Sequence, residues 1–112
     1  MIVRGDIVLV DFEPARPNEA SKIRPSVVVS NDQTNIYGTS IMVVPLTSNV
    51  RKVYTFQLFL PCEKTGLDKD SKAQVELTRS VSKDRLGSVL GQLPPRLLDQ
   101  LSERLKLHLD LT

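Results

Sequence analysis

The chain has 112 residues, which predicts a single domain over residues 1–112 and excludes a multidomain enzyme. Hydrophobic residues make up 40% and charged residues 25%, as in an average globular protein, so we exclude a disordered chain. Fifteen Lys and Arg against thirteen Asp and Glu leave a net charge of +2, which permits nucleic-acid binding without requiring it.

The cysteine content and the apolar segments indicate the compartment. Cys62 is the single cysteine, so no internal disulfide can form. No apolar run reaches the roughly 20 residues needed to cross a bilayer, and the first residues do not have the pattern of a signal peptide. We therefore expect a protein of the reducing cytoplasm. One histidine and one cysteine do not make a set of transition-metal ligands, so we expect no bound metal or other cofactor.

The first half of the chain predicts strands over residues 5–12, 26–30 and 41–46, because each is a run rich in β-branched residues with polar ends. Residues 13–23 are polar and carry two prolines, which predicts a long exposed hairpin loop. Asn31 and Asp32 are residue types that begin helices, so a short turn or helix is expected between them and Gly38.

The second half predicts three more strands over residues 53–60, 72–78 and 88–92, the first two from alternating apolar residues, with a loop over 62–71. Six short strands are typical of a barrel or a sandwich. Residues 95–109 predict a helix that begins at proline and carries a leucine stripe at positions 97, 98, 101, 105 and 109. His108 lies within this stripe and is expected to be packed, whereas Leu107 and Leu111 lie off it and could meet a second subunit.

Two strand-end residues suggest a site. Arg24 precedes the second strand and Thr47 ends the third, so antiparallel pairing of these strands would bring the two side chains together. A guanidinium and a hydroxyl can bind a phosphate oxygen, and the loop carboxylate of Glu19 could accept a proton. Each of these residue types is also common on ordinary surfaces, so spacing alone leaves a purely structural interpretation open.

The sequence motifs indicate a function more specifically than the positions of Arg24 and Thr47 do. The segment RGDIVLVDF at residues 4–12 is followed by Pro14, Glu19 and the segment RPSVVVSND at 24–32, and later by PLTS at 45–48. In this order and spacing, the chain strongly resembles the MazF/PemK family of toxin endoribonucleases. The resemblance continues through Val75-Glu76 and Ser80-Val81 to the terminal helix, and so covers essentially the whole chain.

The resemblance implies a mainly β (α+β) fold, an SH3-like small barrel with short helical insertions and a C-terminal helix, acting as a homodimer. It also implies a sequence-selective, metal-independent endoribonuclease that cuts single-stranded mRNA and is held inactive by a MazE-like antitoxin with a disordered acidic segment. The catalytic residues that it implies are Arg24, Thr47 and Glu19. Asn31, Ser48, Val53 and Glu76 match positions that line the RNA groove of relatives.

Three further inferences stand beside this one. On electrostatic grounds, we expect Arg51 and Lys52 to contact the RNA backbone. The chain has five aromatic residues, so we expect base recognition to depend more on hydrogen bonds and pockets than on aromatic stacking. The alternative functions are a CcdB-like toxin that binds gyrase without nuclease activity, and an inactive SH3-like binding module.

Overall fold

The structure is a computed structural model that describes residues 1–13 and 22–111. Most of the loop predicted over 13–23, including Glu19, therefore lies outside the described residues. Two short 3-10 helices, Val75–Leu77 and Lys83–Arg85, lie on either side of β6. The other elements are, in chain order, β1 (Asp6–Asp11), β2 (Ile23–Val28), α1 (Asp32–Tyr37), β3 (Ser40–Thr47), β4 (Leu58–Leu60), α2 (Cys62–Thr65), β5 (Ser71–Ala73), β6 (Arg79–Ser82), β7 (Leu86–Gln92) and α3 (Pro95–His108).

The strands form one sheet with the order β4-β5-β3-β2-β1-β7, and β6 also pairs with β3. Every pairing is antiparallel. The eight residues of β3 are shared: its first half pairs with β6, its middle with β2, and its last two residues with β5. The predicted mainly β fold with a C-terminal helix is confirmed, and the ladders made by the described residues form an open sheet.

The core lies on both faces of the sheet, because successive residues of a strand point to opposite sides. On one face, Ile7, Val27 and Leu46 pack with Leu101 of α3 in a cluster that excludes water. On the other face, Val8, Val28 and Val43 belong to a second cluster, which also contains Phe12. Because both faces of these strands are buried, the sequences of the first three strands are nearly continuous hydrophobic runs.

The Gly5-Asp6 pair of the first motif has a main-chain role. Gly5 has a φ of +95°, which favours glycine, and a Cβ there would lie 3.1 Å from Cδ2 of Leu98 in α3. The carboxylate of Asp6 is buried and accepts hydrogen bonds from the N–H of Val3 (3.0 Å) and from the side-chain amide of Gln92 (3.1 Å). This pair therefore sets the start of β1 against β7 and α3.

The structure corrects several predicted boundaries. Of the strand predicted over 53–60, only Leu58–Leu60 is a strand, and the strand predicted over 72–78 ends at Ala73 and is followed by a 3-10 helix. β6 was not predicted, because its alternation is weak and its single described pairing is with the distant strand β3. The loop predicted over 62–71 contains the four-residue helix α2, and β2 begins before Pro25 rather than after it.

The terminal helix was predicted more accurately. Leu101 is fully buried and Leu97, Leu98 and Leu105 pack against the core, as the leucine stripe predicts. The helix ends at His108, and Leu109, predicted as the last member of the stripe, is 54% exposed, so that part of the prediction is wrong. His108 is exposed at the last turn, so the prediction that it is packed is wrong; the core contacts of the helix end before that turn. Leu107 and Leu111 are exposed, as expected for residues off the stripe.

Leu101→Ala should lower the free energy of unfolding by about 2 to 5 kcal/mol, because it leaves a cavity between α3 and the sheet. The measurement is equilibrium unfolding in urea, followed by circular dichroism at one protein concentration. Leu107→Ala is the matched control, since Leu107 lies on the same helix and is 64% exposed. Equal midpoints for the two variants would contradict this account of the core.

Candidate active site and nucleic-acid interface

The register between β2 and β3 brings the two predicted catalytic residues together. Ser26 lies opposite Pro45 and Val27 opposite Val44. Continuing this register by two residues places Arg24 opposite Thr47, and both residues line the same cleft. Directly opposed residues of antiparallel strands have Cβ atoms about 5 Å apart, so one small anion can contact both side chains.

The cleft has a volume of about 530 Å³ and lies where β2 and β3 meet the segment after α2. Its polar walls carry three cationic side chains, Lys22, Arg24 and Lys69, against one carboxylate among the described lining residues, Asp68. The excess of positive charge favours an anionic ligand such as a phosphodiester. The other lining residues are Leu9, Ile23, Pro25, Leu46, Thr47, Ser48, Leu67, Ser71 and Leu90.

The sequence did not predict Lys22, Leu67, Asp68, Lys69 or Ser71 as part of the cleft. Residues 67–71 reach it because β5 pairs with the end of β3, a contact between residues far apart in the chain. The one signal in the sequence is the charged run Asp68-Lys69-Asp70 directly before β5. Such a run is typical of any exposed loop.

A row of residues that includes the buried Lys72 continues across the sheet from Thr47. Thr47 lies opposite Lys72 on β5, and Lys72 lies opposite Phe59 on β4. Residues opposed across a ladder share a face, so Thr47, Lys72 and Phe59 form one row. The neighbouring row, Leu46, Ala73 and Leu58, is buried in the core on the other face.

The segment between β3 and β4 carries an aromatic pair. The rings of Tyr54 and Phe56 are stacked, with centroids 5.2 Å apart and an interplanar angle of 12°. The ammonium of Lys52 lies 4.6 Å from the centroid of the Tyr54 ring, and that of Lys72 lies 5.8 Å from it. The alternating residues that predicted a strand here instead place Tyr54 and Phe56 in a stacked pair at the surface.

Gln57 fixes this segment to the body of the protein. Its side-chain oxygen accepts a hydrogen bond from the N–H of Tyr54 (3.1 Å), and its side-chain amide donates one to Oε2 of Glu76 (2.8 Å). Its carbonyl accepts a hydrogen bond from Nε of Arg104 in α3 (3.2 Å), and Gln57 is buried. Glu76, predicted to line the RNA groove, thus holds the aromatic segment in place through Gln57.

The remaining predicted contacts differ in position. Ser48 lines the cleft, and Arg51, Lys52 and Val53 lie exposed on the segment that leaves it. Asn31 caps α1 by accepting a hydrogen bond from the N–H of Thr34 (2.8 Å), at the end of β2 remote from Arg24. Within this chain, the structure does not bring Asn31 to the cleft. Roles of all these residues in RNA binding stay predictions.

Other chemistry at this end of the molecule is limited. A hydrogen bond to the Asp70 side chain, with a smaller contribution from burial, raises the pKa of the Cys62 thiol, which disfavours the nucleophilic thiolate.

Among residues 1–13 and 22–111, no three His, Cys, Asp or Glu side chains are grouped as metal ligands. In the same residues, no helix is long and apolar enough to cross a membrane.

Comparison with known proteins assigns a family. Residues 3–109 match the family described as PemK-like, MazF-like toxin of type II toxin-antitoxin system. The chain is 50% identical over 116 aligned residues to a protein of Mycobacterium tuberculosis named endoribonuclease MazF9, covering 99% of this chain and 98% of that protein. It is 30% identical to endoribonuclease MazF of Staphylococcus saprophyticus, covering 99% and 93% of the two chains.

Solved structures agree in fold. Crystalline MazF from Deinococcus radiodurans superposes with a TM-score of 0.84 at 24% identity, covering 97% of this chain and 96% of that chain. A mycobacterial endoribonuclease in complex with its cognate antitoxin superposes with a TM-score of 0.80 at 20% identity, covering 100% and 98%. The architecture of β-sheet and terminal helix is thus shared along almost the whole chain.

Gln57→Ala should lower the free energy of unfolding by about 1 to 3 kcal/mol, because the carboxylate of Glu76 and the N–H of Tyr54 lose their partner. Urea unfolding measures the change. Gln100→Ala is the control, since Gln100 is an exposed glutamine on α3. A Gln57 variant as stable as the control would show that Gln57 does not anchor the segment.

Proposed function

The chain belongs to the PemK-like, MazF-like family of type II toxins and is an endoribonuclease of a toxin-antitoxin module; we propose that its chemistry takes place in the cleft of Arg24 and Thr47. The observation that carries this proposal is that both residues line one cationic cleft, where extension of the β2–β3 register aligns them. A gyrase-binding toxin or a silent binding module has no comparable support, since the curated relatives are named as endoribonucleases.

We propose that the substrate is single-stranded mRNA and that the RNA supplies its own nucleophile. A general base takes the proton of a 2′-OH, and the 2′-oxygen forms a bond to the adjacent phosphorus. The bond from phosphorus to the 5′-oxygen of the next nucleotide breaks, and that oxygen takes up a proton. The products are a 2′,3′-cyclic phosphate and a 5′-OH, and no step requires a metal ion or another cofactor.

The residues of the cleft suit these steps. The Arg24 guanidinium offers several N–H donors in a fixed plane, which matches the oxygens of a phosphorane as its negative charge grows. The Thr47 hydroxyl, on the neighbouring strand, donates to another oxygen of the same group. Lys22 and Lys69 add positive charge at the walls of the cleft. Ser48, Arg51, Lys52 and Val53 are proposed to contact the RNA on either side of the cut.

Two carboxylates are candidates for the general base. Glu19 is our proposal, because the family resemblance assigns the loop glutamate that role. Asp68 is the alternative that the geometry offers, because it lines the cleft with Arg24. Both are carboxylates, and a carboxylate oxygen can accept the proton of a 2′-OH.

We propose a homodimer in the cytoplasm, where mRNA is found, with a MazE-like antitoxin as its partner. The relative solved with its cognate antitoxin has the same fold along the whole of this chain. An antitoxin with an acidic segment would match the cationic cleft in charge and would cover Arg24. The whole chain is proposed to act as one domain.

Arg24→Ala should abolish cleavage while the protein stays folded, because the phosphorane loses its main source of positive charge. A long single-stranded RNA is incubated with purified protein in the presence of EDTA, and cuts are mapped by primer extension. Arg96→Ala, an exposed arginine on α3, is the control and should cut as the wild type does. Full activity of a folded Arg24 variant would contradict the assigned role, and loss of wild-type cleavage in EDTA would contradict metal independence.

Glu19→Gln should lower kcat/KM by about a hundredfold to ten-thousandfold and remove the rise of the rate with pH on the acidic side. Both changes follow from the loss of the group that must be deprotonated to act. The measurement is the pH profile of cleavage of a short RNA that contains one mapped site. If Asp68→Asn removes the acidic limb and Glu19→Gln keeps it, Asp68 is the base and the assignment of Glu19 is wrong.

A further inference from the structure

We propose that Phe56, stacked on Tyr54, whose ring in turn lies beside Lys52 and Lys72, is a base-stacking platform that binds a nucleotide close to the scissile phosphate. The proposal rests on the ribonuclease function proposed above and adds a specific subsite to it. It revises the expectation that aromatic stacking contributes little to recognition by this chain.

The exposure of the aromatic pair would allow a third ring to stack on it. Tyr54 and Phe56 are 45% and 41% exposed, although aromatic side chains of this size are usually buried in a core. Their near-parallel stacking uses one face of the Phe56 ring, and the exposed part of that ring is where we propose that a base binds. Every base has a flat π-face, so such a platform accepts RNA of varied sequence.

The charge beside the rings complements RNA. The ammonium of Lys72 donates a hydrogen bond to the carbonyl of Lys52 (2.6 Å), which holds both lysines at the Tyr54 ring. Lys52 is exposed, so a backbone phosphate that follows a stacked base would meet its ammonium, with the positive charge of the buried Lys72 close by. An apolar protein partner would leave them without counter-charge, so the combination of ring and cation favours single-stranded nucleic acid.

The position of the platform connects it to the catalytic residues. Lys72 lies directly opposite Thr47, and Lys52 lies five residues after Thr47 on the segment that leaves the cleft. Neighbouring strands are about 5 Å apart, so one strand separates the platform from the proposed catalytic threonine. A single RNA strand can therefore place its scissile phosphate at Arg24 and a nearby base on Phe56.

The anchoring of the segment makes the platform pre-organised. Gln57 joins the turn to Glu76 and, through its carbonyl, to Arg104 of the terminal helix. The rings are therefore held before RNA arrives, and less conformational entropy is lost on binding. Gln57 and Glu76 act here as positioning residues.

The test measures binding separately from cleavage. A fluorescein-labelled 12-nucleotide 2′-O-methyl RNA of randomised sequence has no free 2′-OH and cannot be cut, so its anisotropy titration reports affinity alone. Phe56→Ala and Tyr54→Ala should each weaken binding by about tenfold to a hundredfold. Phe56→Leu should also weaken it, because leucine keeps apolar area and lacks a π-face, whereas Phe56→Tyr should retain wild-type affinity.

Tyr37→Ala is the matched control, since Tyr37 is an exposed aromatic on α1, at the end of β2 remote from Arg24. Circular dichroism confirms that each variant is folded. In cleavage of unmodified RNA, loss of the platform should raise KM more than it lowers kcat. If folded Phe56→Ala and Tyr54→Ala variants bind the labelled RNA with wild-type affinity, the platform proposal is wrong, even if the wild type cuts RNA. The rings would then be assigned to contact with a protein partner. If the wild type does not cut RNA and the Phe56→Ala variant still binds the labelled RNA more weakly than the wild type, the ribonuclease function is wrong and the platform is supported.

Discussion

The antiparallel register between β2 and β3 is the constraint on which the site depends. Extended two residues beyond the last pair of the ladder, Ser26 opposite Pro45, this register aligns Arg24 with Thr47 in the cleft. The same end of β3 carries β5, which brings Lys72 into the row and the segment 67–71 to the cleft. A slip of one residue in this pairing would exchange the two faces of the strand, so that Val27 and Val28 would each leave the cluster in which they pack. The burial that stabilises the sheet therefore also sets the positions of Arg24 and Thr47, the two residues proposed to be catalytic.

The molecule separates the residues that hold the backbone from those that meet the ligand. Gly5, Asp6 and Gln57 act on the main chain or on neighbouring elements, through a positive φ, a buried carboxylate and a buried amide. The cleft and the aromatic pair lie at the surface, where side chains are partly or fully exposed. A cationic surface that is pre-shaped in this way can bind a flexible single strand without a large rearrangement of its own.

Sequence reasoning succeeded where one element carries the whole signal. The run of β1, the Asn31 cap of α1 and the leucine stripe of α3 were all visible locally, and the Arg24–Thr47 pairing followed from the order of two strands. It failed at residues 53–57, because an alternating pattern predicts a strand whether or not a partner strand exists. Asp68 and Lys69 were missed because they reach the cleft through the pairing of β5 with β3, which no local pattern encodes. The packing of His108 was predicted wrongly because periodicity does not show where the sheet under a helix ends.

The backbone role of Gly5 affects how loss-of-function variants of such a toxin should be sorted. In a genetic selection for survivors of toxin expression, a side chain at Gly5 would give a non-toxic clone through collision with Leu98 and a strained φ, and its soluble protein would be scarce. A survivor altered at Arg24, a residue of the surface cleft, would accumulate as intact protein. Immunoblot abundance would therefore separate the two groups of clones, and the opening Gly-Asp of such a chain marks its architecture rather than its capacity to cut.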